Sequence, residues 1–260
     1  MENKVLSEAD AAEFEEFLRS RREVEAELTL KKMIVDASKR ETDRGLLNAA
    51  CESAKRLGTF AVAVSPVNVS AARRRLEGFE NVISCTVGGT GESLIPIKKK
   101  EAKRAQAQGA GEIRLVPCYS ALFSGNVAYL KRELKKVRRA VKKCRIVLSL
   151  DDHALSKEDI ERGLAAAVEG KAHAVSVRGE TDLVMEAVRF LSGRLSVVAT
   201  GVENAEQMRL LFKAGAEYAM TGNADEIARE LYRLTLYRRS EERTGGEENK
   251  RRSKKNETAQ

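Results

Sequence analysis

Residues 112–150 read EIRLVPCYSALFSGNVAYLKRELKKVRRAVKKCRIVLSL, and the reading of this stretch decides the fold. It opens on a mainly apolar run, Glu112–Cys118, and closes on another, Arg145–Leu150. Both runs are short and largely apolar at successive positions, as strands covered on both faces tend to be. Between them Leu130, Leu134, Val137, Val141 and Cys144 step by 4, 3, 4 and 3 residues, which marks one stripe of a helix. Strand, helix and strand in this order form the repeating unit of a parallel α/β fold.

The alternation continues outward in both directions. Further runs at Met33–Ser38, Phe60–Pro66, Val82–Gly88, Ala174–Gly179, Ser196–Gly201 and Tyr218–Gly222 bring the candidate strands to eight. Ala205, Met208, Leu211 and Phe212 form another helical stripe. Gly109-Ala110 and Gly215-Ala216 read as helix C-caps that turn the chain into the next strand. Eight such alternations predict an α/β fold, a closed (βα)₈ TIM barrel, with a doubly wound open sheet as the alternative. The barrel is predicted over residues 31–237. Residues 1–30 read as a helical segment packed on it, with Ser7 and Asp10 spaced as a capping box and Phe14, Leu18 and Leu28 as apolar positions. Residues 238–260 carry Gly245-Gly246, no periodicity and dense mixed charge, the composition of a disordered tail.

Composition bounds the function. No apolar run approaches the ~20 residues that span a bilayer, and the N-terminus has no signal-peptide pattern, so an intracellular, cytoplasmic protein without a membrane is expected. Cys51, Cys85, Cys118 and Cys144 form no Cys-x-x-Cys pair and read as reduced, mostly buried thiols. With His153 and His173 the only histidines, no metal site of standard zinc spacing is present, and no cofactor is expected. The net charge is +8, of which the tail supplies +3. A basic body attracts phosphates, whether on metabolites or on nucleic acid.

Several motifs point to one family. Phe60-Ala-Val-Ala-Val-Ser-Pro-Val-Asn-Val69 and Cys85-Thr-Val-Gly-Gly89 are two of them. Lys100-Glu-Ala102, Gly109-Ala-Gly-Glu-Ile-Arg-Leu-Val116 and Ser120-Ala-Leu-Phe-Ser-Gly-Asn126 carry the strongest match. Leu155-Ser-Lys-Glu-Asp-Ile160, Ala199-Thr-Gly201 and Met220-Thr-Gly222 complete the set. With these the chain resembles, from about Val35 to Met220, the deoxyribose-phosphate aldolases. These are class I aldolases of the TIM-barrel fold that cleave 2-deoxyribose 5-phosphate to acetaldehyde and glyceraldehyde 3-phosphate. The resemblance implies a small phosphorylated ligand, with the substrate phosphate at Thr200-Gly201 and Thr221-Gly222.

The same resemblance makes this chain a divergent member. The family's Schiff-base lysine falls on Ser176, its proton-transferring aspartate on Arg114 and its second lysine on Val198. A serine hydroxyl cannot form an iminium ion, because that step requires a neutral amine. No lysine lies in the C-terminal half of any predicted strand, where barrel enzymes place their chemistry, and Lys39 just after the first strand is the nearest.

Strand alternation puts Arg114 and Arg178 toward the barrel interior or its mouth. Each then needs an anion, either a bound phosphate or carboxylate, or an internal partner such as Asp151 or Asp152. Asp151 falls near a family glutamate. Glycine admits close backbone approach to an anion and threonine adds a donor, so Thr200, Gly201, Thr221 and Gly222 join the two arginines as candidate phosphate contacts. Asp151 and Cys85 are the candidate catalytic groups of an altered mechanism. Cys118 and Cys85 as core thiols, and His153 as a surface histidine, are the simpler readings. Lys131 to Arg145 holds nine basic residues and one acid, read as the solvated face of a barrel helix. Its alternative role is contact with nucleic-acid phosphates, to which Lys250-Arg-Arg252 and Lys254-Lys255 would add.

Three functions follow. The first is a phosphate-binding pseudoenzyme or regulatory protein without Schiff-base chemistry. The second is a lyase of altered mechanism. The third is a basic scaffold for nucleic acid or a protein partner. Barrels of this kind commonly form homodimers, although no feature of the sequence specifies an interface.

Overall fold

The computed structural model describes residues 24–38 and 44–234. The capping-box reading at Ser7, the 238–260 tail and Lys39 lie outside the described residues. Eight parallel strands close into one barrel in sequence order. They are β1 (Met33–Asp36), β2 (Ala61–Val64), β3 (Val82–Val87), β4 (Glu112–Leu115), β5 (Arg145–Leu150), β6 (Ala174–Arg178), β7 (Ser196–Thr200) and β8 (Tyr218–Thr221). Closure is made by β1 against β8, with Val35 in register with Thr221. All eight apolar runs form strands, and the open sheet is excluded.

The helices are α1 (Val24–Lys31), α2 (Arg44–Leu57), α3 (Val69–Arg75), α4 (Ile95–Ala107), α5 (Tyr119–Phe123), α6 (Val127–Ala140), α7 (Lys157–Gly170), α8 (Thr181–Leu191) and α9 (Ala205–Lys213). Residues 224–234 are also helical. Within α1, Leu30 is buried and Leu28 is exposed, so the apolar contact lies two residues beyond the position expected. None of the described helices is long and apolar enough to cross a membrane.

Alternation along each strand produces two cores. Outward residues such as Val62, Ile113, Val175 and Ala199 pack against the helices. Inward residues Ile34, Ala61, Ala63, Val147, Ala174, Val198 and Met220 fill the lumen. Both faces are therefore dry, which is why the strands read as near-continuous apolar runs. Strand ends fall short of some runs for a local reason. Val116 still donates to Val87 O at 2.9 Å, but Pro117 has no N–H, so β4 cannot extend.

Local chemistry closes several helix ends. Ser156 and Asp159 form a reciprocal capping box at the start of α7. Gly109 and Gly215 follow their helices at φ 108° and 103°, a left-handed turn that a residue with a Cβ enters only under strain.

At the N-terminal end of the barrel the guanidinium of Arg145 lies over the rings of Phe60 and Tyr218, 5.7 and 5.0 Å from their centroids. Beside it, Ile146 N–H donates to Nδ1 of His173 at 2.9 Å. Burial first, and then Arg138 and Arg145, lower the pKa of His173. Protonation also destroys the acceptor that Ile146 uses. Because the folded pKa is depressed, the unfolded chain binds the proton first. Stability is therefore lost as pH falls from about 6.5 through the folded value. Between about pH 7.5 and pH 5.5 the Tm of the wild-type protein is expected to fall more than that of His173→Asn. Equal slopes in the two melting series would remove His173 as the cause.

Candidate functional site

The C-terminal ends of β4, β5 and β6 bring a polar cluster into the lumen. Arg114 extends from β4 and is 2% exposed. Its Nη2 donates to Asp151 Oδ2 at 3.1 Å, just past the end of β5, and to Ser176 Oγ on β6 at 3.2 Å. Ser149 of β5 donates to Asp151 Oδ1 at 2.8 Å and lies 3.2 Å from Ser176 Oγ. Register explains the meeting, because Arg114 pairs with Val147 and Ser149 pairs with Ser176. The lumen alanines Ala61, Ala63 and Ala174 are short, which is consistent with an arginine lying across the barrel.

The cluster satisfies only part of the guanidinium. Nη1 of Arg114 is buried and has no hydrogen-bond partner. An unpaired buried donor of a charged group costs on the order of 1–3 kcal/mol or more, so the arrangement is not optimised for stability. It leaves a cationic donor in the lumen without a partner.

Arg178 stands at the mouth end of β6 and is turned away from the cluster. Its Nε donates to Glu180 Oε1 at 2.7 Å and its Nη1 to Asp152 O at 2.8 Å. Thr200 is its register neighbour on β7 and is buried, donating weakly to Val177 O at 3.3 Å. Gly201 follows at φ 72°, with nothing within 4 Å of the place a Cβ would occupy. Gly222 at the end of β8 is equally open. Thr221, in contrast, has the strand parity of Ala219, which packs in the outer core. Its hydroxyl accepts from Asn223 N–H at 2.9 Å and serves the turn into the last described helix. The structure thus presents Thr200, Gly201 and Gly222 at adjacent strand ends and places the Thr221 side chain elsewhere.

Cys85 likewise has outer-face parity and is buried among helix-facing apolar residues, away from the lumen. Cys118 is half-buried after β4, and His153 lies exposed in the loop after β5. Val198 is a lumen core residue.

The sequence reading did not single out Tyr119. This residue begins α5 at the mouth, half-buried near Asp152 and Asp151. Burial first, then the charges of Asp152 and Asp151, raise its pKa well above the ordinary tyrosine value and keep it protonated. No periodicity reports such proximity between two loops. A second group that the sequence did not reveal is Lys98 on α4. It is fully buried and donates to Gly91 O at 2.7 Å, Val116 O at 2.9 Å and Glu133 Oε1 at 2.7 Å. Glu133 Oε2 in turn accepts from Cys118 N–H at 3.1 Å. Burial raises the Glu133 carboxyl pKa, while Lys98 and the Cys118 N–H oppose that rise. The pair ties the loop after β3 and the segment after β4 to α4 and α6. No cluster of three metal-ligating side chains occurs among the described residues.

No protein-family profile matches the chain. Among curated proteins it is 28% identical over 189 residues to the deoxyribose-phosphate aldolase of Malacoplasma penetrans, covering 68% of this chain and 84% of that one. It is 29% identical over 192 residues to the deoxyribose-phosphate aldolase of Aciduliprofundum boonei, covering 70% and 86%. Over more than two thirds of its length the chain is similar to deoxyribose-phosphate aldolases. The solved deoxyribose phosphate aldolase of Aeropyrum pernix, described as a unique tetramer, shares the aldolase barrel at TM-score 0.75 and 16% identity, covering 88% of this chain and all (100%) of that one. A deoxyribose-phosphate aldolase-like structure from Coccidioides immitis gives the same TM-score, 0.75, at 21% identity, covering 86% and 98%. Within this barrel, the position at which the resemblance puts the lysine is Ser176, bonded into the Arg114 cluster.

Proposed function

We propose that this aldolase-family barrel binds a small phosphorylated sugar or a related anion and carries out no Schiff-base chemistry, as a pseudoenzyme or regulatory binding protein. One observation carries the reading. At the centre of the lumen, where the resemblance puts an amine, stand Ser176 and a buried arginine with an unpaired donor. Among the described residues, no lysine occupies a strand position. The buried Lys98 does not substitute for it, because three acceptors take up all three of its N–H groups.

Phosphate would enter over the open glycines Gly201 and Gly222, with Thr200 beside them. Arg114 would supply the central positive charge, and Arg178 would require release from Glu180 to join it. Retained lyase chemistry of altered mechanism is the second reading. The protonated Tyr119 phenol beside Asp152 and Asp151 favours it, since a neutral acid next to two carboxylates is an acid–base pairing.

Incubation with acetaldehyde and borohydride, followed by intact mass measurement, tests the proposal. An unchanged mass is expected, together with a thermal shift on addition of millimolar 2-deoxyribose 5-phosphate. A reduced adduct mapped to any lysine, Lys39 included, would overturn it. Turnover of 2-deoxyribose 5-phosphate without an adduct would select the second reading.

A further inference from the structure

The exposed surfaces of α4 and α6 are consistent with a role unrelated to the barrel mouth. On α6 and the turn that ends it, Leu130, Leu134, Val137 and Val141 are buried. The next stripe around the helix, Lys131, Lys135 and Arg138, runs toward α7, where Lys131 pairs with Glu169. The stripe after that is Arg132, Lys136, Arg139 and Lys143, all exposed. On α4, Lys99 and Lys103 share a stripe with Gln106, whose Oε1 accepts from Lys143 N–H at 3.1 Å. That bond places Lys99 and Lys103 on the side of α4 that faces the end of α6.

Each helix carries a single carboxylate, and neither reaches this surface. Glu101 accepts from Gly88 N–H at 2.8 Å, and Glu133 is buried on Lys98. Lys99, Lys103, Arg132, Lys136, Arg139 and Lys143 therefore share the surface where α4 and α6 meet, and none forms an ion pair among the described residues. A solvated helix face normally interleaves both signs of charge, as Lys157–Glu186 and Arg162–Glu158 do on the neighbouring α7 and α8. Here both carboxylates have been drawn inward, leaving a field of one sign.

We propose that the α4–α6 surface docks a nucleic-acid duplex through its phosphate backbone, without reading sequence. Charge complementarity names a polyanion. The helical part of the row, Arg132 to Arg139, runs about 10 Å along α6, and Lys143 extends it from the turn beyond, which suits a stiff and regularly charged partner. The only aromatic residue in α6, Tyr129, lies beneath the guanidinium of Arg132, 5.2 Å from its ring centroid, and offers no stacking platform for splayed bases. That observation favours a duplex over a single strand.

The test uses the full chain and a fluorescent DNA duplex of about 24 base pairs and arbitrary sequence, with anisotropy measured across a salt series. Binding with a steep negative log–log salt dependence is expected. The variant K136E/R139E/K143E should lose affinity at least about tenfold and flatten the slope by roughly 2.7, about 0.9 for each lost phosphate contact. The charge-matched control R189E/K213E/R229E, on other exposed helical positions, should bind nearly as wild type. Equal weakening in both variants would show a response to net charge alone and overturn the docking surface. So would no duplex binding at low salt, tighter binding of the matching single strand, or surface-dependent capture only of polyglutamate or anionic vesicles. Melting curves of both variants establish that each is folded.

Discussion

Lys98→Met is expected to lower the stability of the protein by about 3–5 kcal/mol, the cost of stranding one member of a buried ion pair. For a barrel of this size that corresponds to a fall in Tm of roughly 6–20 °C. The substitution preserves volume, so packing is not the cause. Glu133 would remain fully buried with its Oε1 unpaired. Its carboxyl pKa is already raised by burial, and loss of the ammonium raises it further. The sign of the pH dependence follows. A carboxyl whose folded pKa exceeds its unfolded value binds more protons when folded, so the variant loses stability as pH rises above about 4.3. The deficit against wild type should therefore be smallest in acid and grow toward neutral pH. Adding Glu133→Leu should restore part of the loss. The remainder belongs to Gly91 O, Val116 O and Cys118 N–H, which lose their side-chain partners in the double variant. Melting at several pH values checks the claim. A pH-independent deficit would mean that the pair is not what holds these segments.

Arg114→Met should have the opposite profile, with ligand binding lost and stability kept. Arg114 contributes one charge-assisted contact to Asp151 and leaves Nη1 buried without a partner. Asp151 is 21% exposed and keeps Ser149 Oγ, so it can take water in place of the guanidinium. Removing an unsatisfied buried donor offsets the lost ion pair, and the net change in stability should stay within about 1 kcal/mol. A charge-assisted hydrogen bond to phosphate is worth about 1.5–3 kcal/mol, so affinity for 2-deoxyribose 5-phosphate should fall roughly 10- to 150-fold. Calorimetric titration and melting of the same preparation provide both readouts. A large loss of stability with unchanged affinity would make Arg114 a structural residue and Asp151 its purpose.

The contrast between these two positively charged residues has a physical basis. Lys98 meets three acceptors in one fully buried place, which is what a structural charge requires. Arg114 meets a partly exposed carboxylate and a hydroxyl and has donor capacity left over. Stability would favour an apolar residue in its place, and the anion proposed above would give the arginine the partner it lacks.

Eight strands could be read from the order of apolar runs, because a parallel barrel is dry on both sides of its sheet and each strand becomes such a run. The helical stripe from Leu130 to Val137 and the glycine C-caps at Gly109 and Gly215 were legible for the same kind of reason, whereas Val141 and Cys144 fall beyond the helix end at Ala140. Each is a short-range pattern whose period or spacing is set by the backbone. Strand parity also brought Arg114 and Ser176 to the same surface. It did not show that Arg114 would engage Asp151 while Arg178 turned to Glu180, because the reach of a long side chain depends on the loops around it.

What the sequence by itself determined was periodicity, and hence the fold and its order of elements. Phase was decided only by the tertiary structure. Lys98, Lys99 and Lys100 are three identical letters, yet the first is fully buried and the third is exposed, because α4 is rolled so that position 98 meets Gly91, Val116 and Glu133. Thr200-Gly201 and Thr221-Gly222 are the same dipeptide at neighbouring strand ends. One threonine has the parity of the lumen and the other that of the outer core, because β7 ends on an inward residue and β8 on an outward one. A local pattern repeats along the chain. Which of its members meets a partner is set by residues distant in sequence.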